Sequence, residues 1–291
     1  AGFGSFDFGA TRLQWHVVAA GTGIYASSNR GLTYLVVATD RRTNFQEFER
    51  SRNLLIVTSE SQNRVLYWAG SVGTFMLMMP AGSAPPCKHA LDFGGYLHLM
   101  NNSGGNGRTV YYNDNNAIAT GPFSTTYTVD ATDNDEITGA IRYSTRAYIF
   151  TKYSTHQVSQ VGGNPDFSVK PIKNWGMVPR TFKRVTYGDV GEVIIGLGWD
   201  RKVRIFDGSD ERVVSTPVEQ SNGLSPIYFN GINEEQLLRC HAEVDPNEQV
   251  YRLWVVMAPS TQVTHCLCLN LRTGAWYPYN EPNVNTAIMA Q

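Results

Sequence analysis

One two-strand phrase recurs along most of this chain: an aromatic or aliphatic strand, a polar hairpin, and a second strand that often closes on Tyr, Phe or Trp. The clearest copies pair residues 54–57 with 65–68 and 96–99 with 109–112. Further copies pair 148–150 with 157–158, 193–195 with 203–206, and 251–254 with 266–269. Their starts lie roughly 40 to 60 residues apart, the spacing at which four short strands make one blade of a propeller. The expected fold is therefore all-β: a β-propeller of six four-stranded blades, with seven as the neighbouring count.

Turn residues place the blades at about 6–40, 45–79, 88–129, 136–172, 180–218 and 237–279 of a single domain spanning 1–291. Pro80, Gly82, Pro85 and Pro86 break the pattern as an inter-blade loop, and Gly162-Gly163-Asn164-Pro165 and Asp207-Gly208-Ser209 supply turns within blades. Residues 219–236 read as a longer link with one helical turn at 233–237. Residues 284–289 read as a last strand that closes the ring by completing the N-terminal blade, removing an open edge.

Charge narrows the function classes. Charged residues make up 17% of the chain and the net charge is −1, so the excess of Lys and Arg that neutralises phosphates is missing and sequence-specific nucleic-acid binding is not expected. Local patches at Arg180, Lys183 and Arg184, at Arg201, Lys202 and Arg204, and at Asp130, Asp133, Asp135 and Glu136 read as solvated loop charge. No apolar run reaches the ~18 residues of a membrane span. The chain starts on Ala1 without a basic-then-apolar leader, which suggests processing or a piece of something longer.

The residues that carry chemistry are scattered. The six histidines, His16, His89, His98, His156, His241 and His265, contain no His-x-x-x-His pair, and Cys87, Cys240, Cys266 and Cys268 contain no Cys-x-x-Cys. Cys266 and Cys268 share one face of a strand and cannot bridge without distorting it. Gly-x-Ser-x-Gly is absent, and Gly104-Gly105-Asn106-Gly107 lacks the Lys and Ser or Thr of a phosphate loop. Asp92, Asp135, Glu192 and Asp200 are carboxylates of the kind that glycosidases pair, but sequence does not bring any two together. No catalytic, cofactor-binding or metal-binding residue is assigned. The candidate ligand or partner contacts are Trp175 and Trp199, which sit beside Gly or Asp at strand ends where exposure is expected, with Arg201 and Lys202. Trp15, Trp68, Trp254 and Trp276 follow strand patterns and are expected to pack between blades.

Two resemblances add to this. Ser27-Ser28-Asn29-Arg30-Gly31-Leu32-Thr33-Tyr34 resembles the Asp-box turn of sialidases and other six-bladed propellers, in which Asp or Asn caps backbone amides and Gly takes a positive φ. It occurs singly here, so a glycan-binding propeller or a sialidase-like hydrolase stays open as an alternative. Longer phrases resemble the packaged-DNA stabilisation, or tail-hub, propellers of short-tailed bacteriophages. They are Gly21 to Tyr25 leading to Leu32-Thr33-Tyr34, Tyr111 to Asp114, Val158 through Phe167, Gly176, Val178-Pro179-Arg180, Val193 to Gly198, Val203 to Gly208 and Arg212 to Glu219.

That resemblance implies a virion tail protein, made in the host cytoplasm and without catalysis or cofactor. It implies copies arranged as a homo-oligomeric ring at the portal vertex, docking portal or adaptor proteins and tail fibre or spike. A receptor-binding propeller is the other class that the residues allow.

Overall fold

The computed structural model describes residues 2–8, 13–20, 22–29, 31–39, 46–59, 65–71, 76–79, 84–114, 118, 122–131, 135–162, 166–215 and 227–279. They form six four-stranded antiparallel sheets, the blades of a β-propeller, with almost no helix. The first sheet contains β1 (Gly2–Phe8), β2 (Leu13–Ala20), β3 (Gly23–Ser27) and β4 (Leu35–Ala38), and the second β5 (Gln46–Ser51), β6 (Leu54–Ser59), β7 (Leu66–Trp68) and β8 (Leu77–Met78). The third has β9 (Cys87–Phe93), β10 (Tyr96–Asn102), β11 (Thr109–Asp114) and β12 (Thr125–Thr128). The fourth has β13 (Ile137–Tyr143), β14 (Arg146–Thr151), β15 (Thr155–Val161) and β16 (Asp166–Lys173). The fifth contains β17 (Lys183–Tyr187), β18 (Gly191–Leu197), β19 (Val203–Phe206) and β20 (Glu211–Val213), and the sixth β21 (His241–Asp245), β22 (Val250–Val255), β23 (His265–Asn270) and β24 (Trp276–Tyr279).

One detail differs from the sequence expectation. The first sheet takes its fourth strand from the N-terminus, where Gly2–Phe8 pairs in register with Leu13–Ala19. The residues assigned to a closing strand, 284–289, lie outside those described. The helical turn expected at 233–237 is a 3-10 helix at Glu234–Arg239, which Asn233 caps by accepting the Glu235 N–H at 3.1 Å on its Oδ1. A single α-helical turn, α1 (Ile227–Asn230), precedes it. Among the described residues no helix is long and apolar enough to cross a membrane.

Contacts gather the chain into two compact units, residues 1–149 with 156–171 and residues 150–155 with 172–291. In the first, Trp15 and Trp68 meet edge to face at 4.8 Å over Val17, Ile24, Leu55 and Val57. His98 lies inside an aromatic cage of Phe93, Tyr112, Tyr127 and Phe167, its Nδ1 against the Tyr127 hydroxyl at 3.2 Å. Burial lowers its pKa to about 4, so the ring is neutral at ordinary pH.

Side chains of the first strands stitch these sheets together. Glu47 meets His89 at 2.8 Å, Ser51 donates to Asp92 at 2.5 Å, Glu49 accepts the Asp92 N–H at 3.0 Å, and Lys88 pairs with Glu136 at 3.0 Å. The turn at 27–34 behaves as its resemblance implied. Asn29 Oδ1 accepts the Thr33 N–H at 3.0 Å, Ser27 Oγ accepts the Gly31 N–H at 3.1 Å, and Gly31 has a φ of 83°.

In the second unit Val185, Val193, Ile195, Leu197, Val203 and Ile205 pack against Ala242, Tyr251, Leu253, Val255, Leu267 and Leu269. Full burial of side chains this size stabilises the fold by about 1.5–3 kcal/mol each. The buried Tyr251 hydroxyl donates to Thr181 O at 2.7 Å, and the Trp276 indole donates to Val214 O at 2.8 Å. Of the basic residues expected to be solvated loop charge, Lys183 and Arg184 stand on β17 and not on a loop, and each has a partner. Lys183 meets Glu243 at 2.9 Å, Arg184 meets Glu192 at 3.2 Å, and Arg180 donates to the Leu238 carbonyl. Cys266 and Cys268 are free thiols on one strand face, their sulfurs 3.8 Å apart, and His241 stacks on Trp254 at 5.2 Å.

Candidate functional site

The four candidate contact residues all belong to the second unit, but the structure divides them into a buried pair of roles and an exposed one. Trp175 follows β16, and Gly176 next to it crosses the β14–β15 turn so closely that a Cβ there would lie 1.7 Å from Thr151 O. Only glycine lets the two backbones approach this far. The expectation that Trp175 is exposed is corrected: the side chain is buried, stacked on Phe150 at 6.5 Å and edge-on to Phe206 at 5.7 Å. Its indole N–H donates to Glu211, and its carbonyl accepts from Thr155 Oγ1 at 2.6 Å.

Arg204 lies over the Trp175 ring, its guanidinium carbon 5.5 Å from the centroid. It donates through both terminal nitrogens to Asp200, at 2.6 Å each, the two-pronged geometry that fixes both partners. Burial would raise the Asp200 pKa, but the hydrogen bonds and charge of Arg204 outweigh it and hold the carboxyl below its usual range. Gly198 makes room for the fork, since a Cβ would meet Arg204 Nη1 at 2.5 Å and Asp200 Oδ1 at 2.6 Å. This assembly anchors the β18–β19 loop.

The anchored loop carries the exposed part. Trp199 is half-buried and donates its indole N–H to Met177 O at 3.2 Å, which fixes the plane of the ring. Arg201 takes a φ of 64° and turns inward, donating to Asn230 O at 3.0 Å and pairing with Glu234 at 3.0 Å. Lys202 is exposed, with its backbone N–H on Asp200 Oδ1 at 3.3 Å.

Two residues that sequence reading did not single out complete the surface. The Lys152 ammonium sits 5.0 Å from the Tyr153 ring and 5.3 Å from the Trp199 ring, and Tyr153 is 55% exposed. Their hairpin is held by Thr151, whose Oγ1 accepts the Ser154 N–H at 2.9 Å and whose N–H donates to Ser154 O at 2.9 Å. An aromatic at the tip of a four-residue hairpin, where a small polar residue is usual, was the available signal. Trp199, Lys152 and Tyr153 thus make a cationic and aromatic platform on two ordered turns, with Lys202 exposed on the second of them.

The remaining carboxylates are tied into the frame. Asp135 is buried, Asp92 accepts from Ser51, Glu192 pairs with Arg184 and Asp200 with Arg204. Among the described residues no group of three or more His, Cys, Asp or Glu side chains gathers to hold a metal ion. A cavity of about 140 Å³ lies beside β19, lined by Val190, Val193, Ile205, Asp207, Asp210, Glu211 and Arg212. It is smaller than the ~300–1,000 Å³ that small-molecule sites occupy.

No protein-family model matches the chain, and no curated protein matches it in sequence. In three dimensions it is similar to the Nup133 β-propeller domain of Vanderwaltozyma polyspora, with a TM-score of 0.52 at 10% identity, covering 93% of this chain and 73% of that one. It is also similar to a chain in the crystal structure of the mitotic checkpoint complex, with a TM-score of 0.59 at 9% identity, covering 95% of this chain and 81% of that one. At these identities the likeness is one of fold.

Proposed function

We propose that this propeller is a non-enzymatic protein-docking scaffold and that the platform of Trp199, Lys152 and Tyr153, with the exposed Lys202, is one of its contact surfaces. The observation that carries the reading is Lys152 held between two aromatic rings on hairpins whose backbones are already hydrogen-bonded. A surface ordered before binding loses little conformational entropy on docking, and aromatic rings beside a cation suit the centre of a protein interface. Of the carboxylates singled out in the sequence, Asp92, Glu192 and Asp200 are held by structural partners and Asp135 is buried, which supports a framework role for these four.

The finer reading, carried by the sequence resemblance alone, is a tail-hub component of a short-tailed phage virion, a homo-oligomeric ring at the portal vertex that docks adaptor and fibre proteins. Native mass spectrometry of the full chain tests it: a closed homo-oligomer supports the hub, and a monomer overturns it. A glycan-binding propeller is the second reading, favoured by the exposed Tyr153 ring, whose face can stack on a sugar. A glycan array with the parent protein and Tyr153→Ser separates the two. Saturable sugar binding lost in the variant selects the second reading, and absence of binding retains the first. Turnover of a glycoside substrate, abolished by changing one carboxylate, would overturn the non-enzymatic reading.

A further inference from the structure

The first unit carries an interaction feature of a different kind. Outer strands are edges with unpaired backbone groups, and proteins blunt them with charge, proline or brevity. β16 carries Lys170, Pro171 and Lys173, β20 carries Glu211 and Arg212, β24 carries Pro278, and β8 is two residues long. β4 has none of these devices: the run Gly31–Ala38 contains no charged residue and no proline, and it is apolar where β12 (Thr125–Thr128), which also lacks charge and proline, is made of Thr and Tyr. Tyr34, Leu35 and Val36 are 38%, 46% and 44% exposed, and Leu32 is 86% exposed.

This exposure is presented by an ordered segment. Leu32 stands on the turn capped by Asn29, with its own N–H on Asn29 O at 3.3 Å. Val37 O, one residue past the exposed run, already accepts the Met76 N–H at 2.7 Å. Among the described residues the outer side of β4 is thus used once for backbone pairing, and Tyr34–Val36 continue the same edge.

We propose that the edge formed by Tyr34 and the first residues of β4, Leu35 and Val36, is a strand-addition site for an extended, uncharged segment of a partner protein, with Leu32 clamping the end of that segment. Three observations choose this occupant. The lack of charge along Gly31–Ala38 calls for an equally uncharged partner, because a charge buried against it would be desolvated without compensation. The Met76 contact shows that a carbonyl on this edge accepts a backbone N–H from another segment. Four partly exposed side chains fall well short of the ~800 Å² per partner that a stable dimer needs, but they suit one added strand, whose affinity comes from main-chain hydrogen bonds. The proposal does not rest on the Lys152 platform.

The test is fluorescence anisotropy of the full chain with a labelled, end-capped Val-Thr-Val-Thr-Val-Thr peptide. Its counterpart carries N-methyl groups on alternate residues. The parent peptide should bind saturably, and the methylated one should bind about tenfold more weakly or worse, since two or more hydrogen bonds worth ~1 kcal/mol each are lost. Leu35→Lys should weaken binding to a similar degree. Leu32→Asp, at a side chain almost wholly in water and so harmless to folding, should weaken it severalfold, and Tyr153→Ser should leave it unchanged. Equal binding of both peptides, no saturable binding, or a dimer in sedimentation velocity that Leu35→Lys disperses would each overturn the proposal. The last of these would give the edge to a second copy.

Discussion

The two units hold partly buried carboxylates in opposite ways: Glu49 bridges two sheets of the first, and Asp200 fixes a loop within one sheet of the second. In the first, Glu49 keeps some surface in contact with water but is enclosed by protein on most sides. Its neighbours are the Asp92 backbone N–H and two further carboxylates, with no cation among them. Burial, against the lowering effect of that N–H and helped by the charges of Asp92 and Glu47, pushes its pKa up to about 8. In the second unit Asp200 has Arg204 on both oxygens and is held below its usual range. The same chemical group is thus a neutral hydrogen-bonding carboxyl between two sheets and an anion in the β18–β19 loop, and what decides is whether a guanidinium stands within reach.

The largest test of the contrast is steric. Gly176→Ala would drive a Cβ into Thr151 O at 1.7 Å, a clash with backbone that no rotamer relieves, and should cost about 3 kcal/mol or more in urea unfolding. Gly95→Ala in the first unit has nothing within 4 Å and only its φ of 85° to strain it, so about 1 kcal/mol is expected. Equal costs at the two sites would mean that the close crossing beneath Trp175 does not hold the second unit together.

Next in size is the fork itself. Arg204→Met removes the bidentate pair and the contact with Trp175 while keeping an apolar stem of similar length. Breaking a buried pair costs ~3–5 kcal/mol, but Asp200 is nearly half exposed, and water screening reduces the expectation to about 2 kcal/mol. A double-mutant cycle with Asp200→Asn checks the assignment: if the two changes add without coupling, Arg204 acts through packing alone.

How much of this was legible in sequence depends on the range of the interactions. The strand pairs of residues 54–68 and 251–269 are visible because apolar residues alternate locally around polar turns. Gly2–Phe8 escapes because three of its first five positions are Gly or Ser, a composition that reads as a loop; pairing with β2 overrides that weak local preference. Trp175 was misjudged for a similar reason. Its neighbours in sequence are polar or glycine, whereas Phe150, Phe206 and Arg204, which bury it, lie 25 to 31 residues away on other strands. Arg201 and Lys202 were read as equivalent cations, and only the positive φ of Arg201 sends one inward to Glu234 while the other remains in water.

The smallest effects expected are in pH dependence, where the comparison gives opposite signs. Glu49 has a folded pKa of about 8, above the ordinary 4.5, so between these values the folded chain holds a proton that the unfolded chain has released. Its contribution is fully present below pH 4.5 and is lost as pH rises through about 8. Asp200 is depressed, so its contribution is present above the ordinary 3.8 and is lost as pH falls through its lower folded value. Glu49→Gln keeps a neutral acceptor for the Asp92 N–H and should flatten the alkaline loss, making the variant more stable than the parent at pH 9 by about 1 kcal/mol, the size of one net hydrogen bond. Asp200→Asn should flatten the acid limb and leave the alkaline limb alone. Urea midpoints at pH 3, 6 and 9 for the three proteins read both limbs. A parent whose stability rises from pH 6 to pH 9, with no gain from Glu49→Gln, would show that Glu49 is ionised in the folded chain, a carboxylate as Asp200 is.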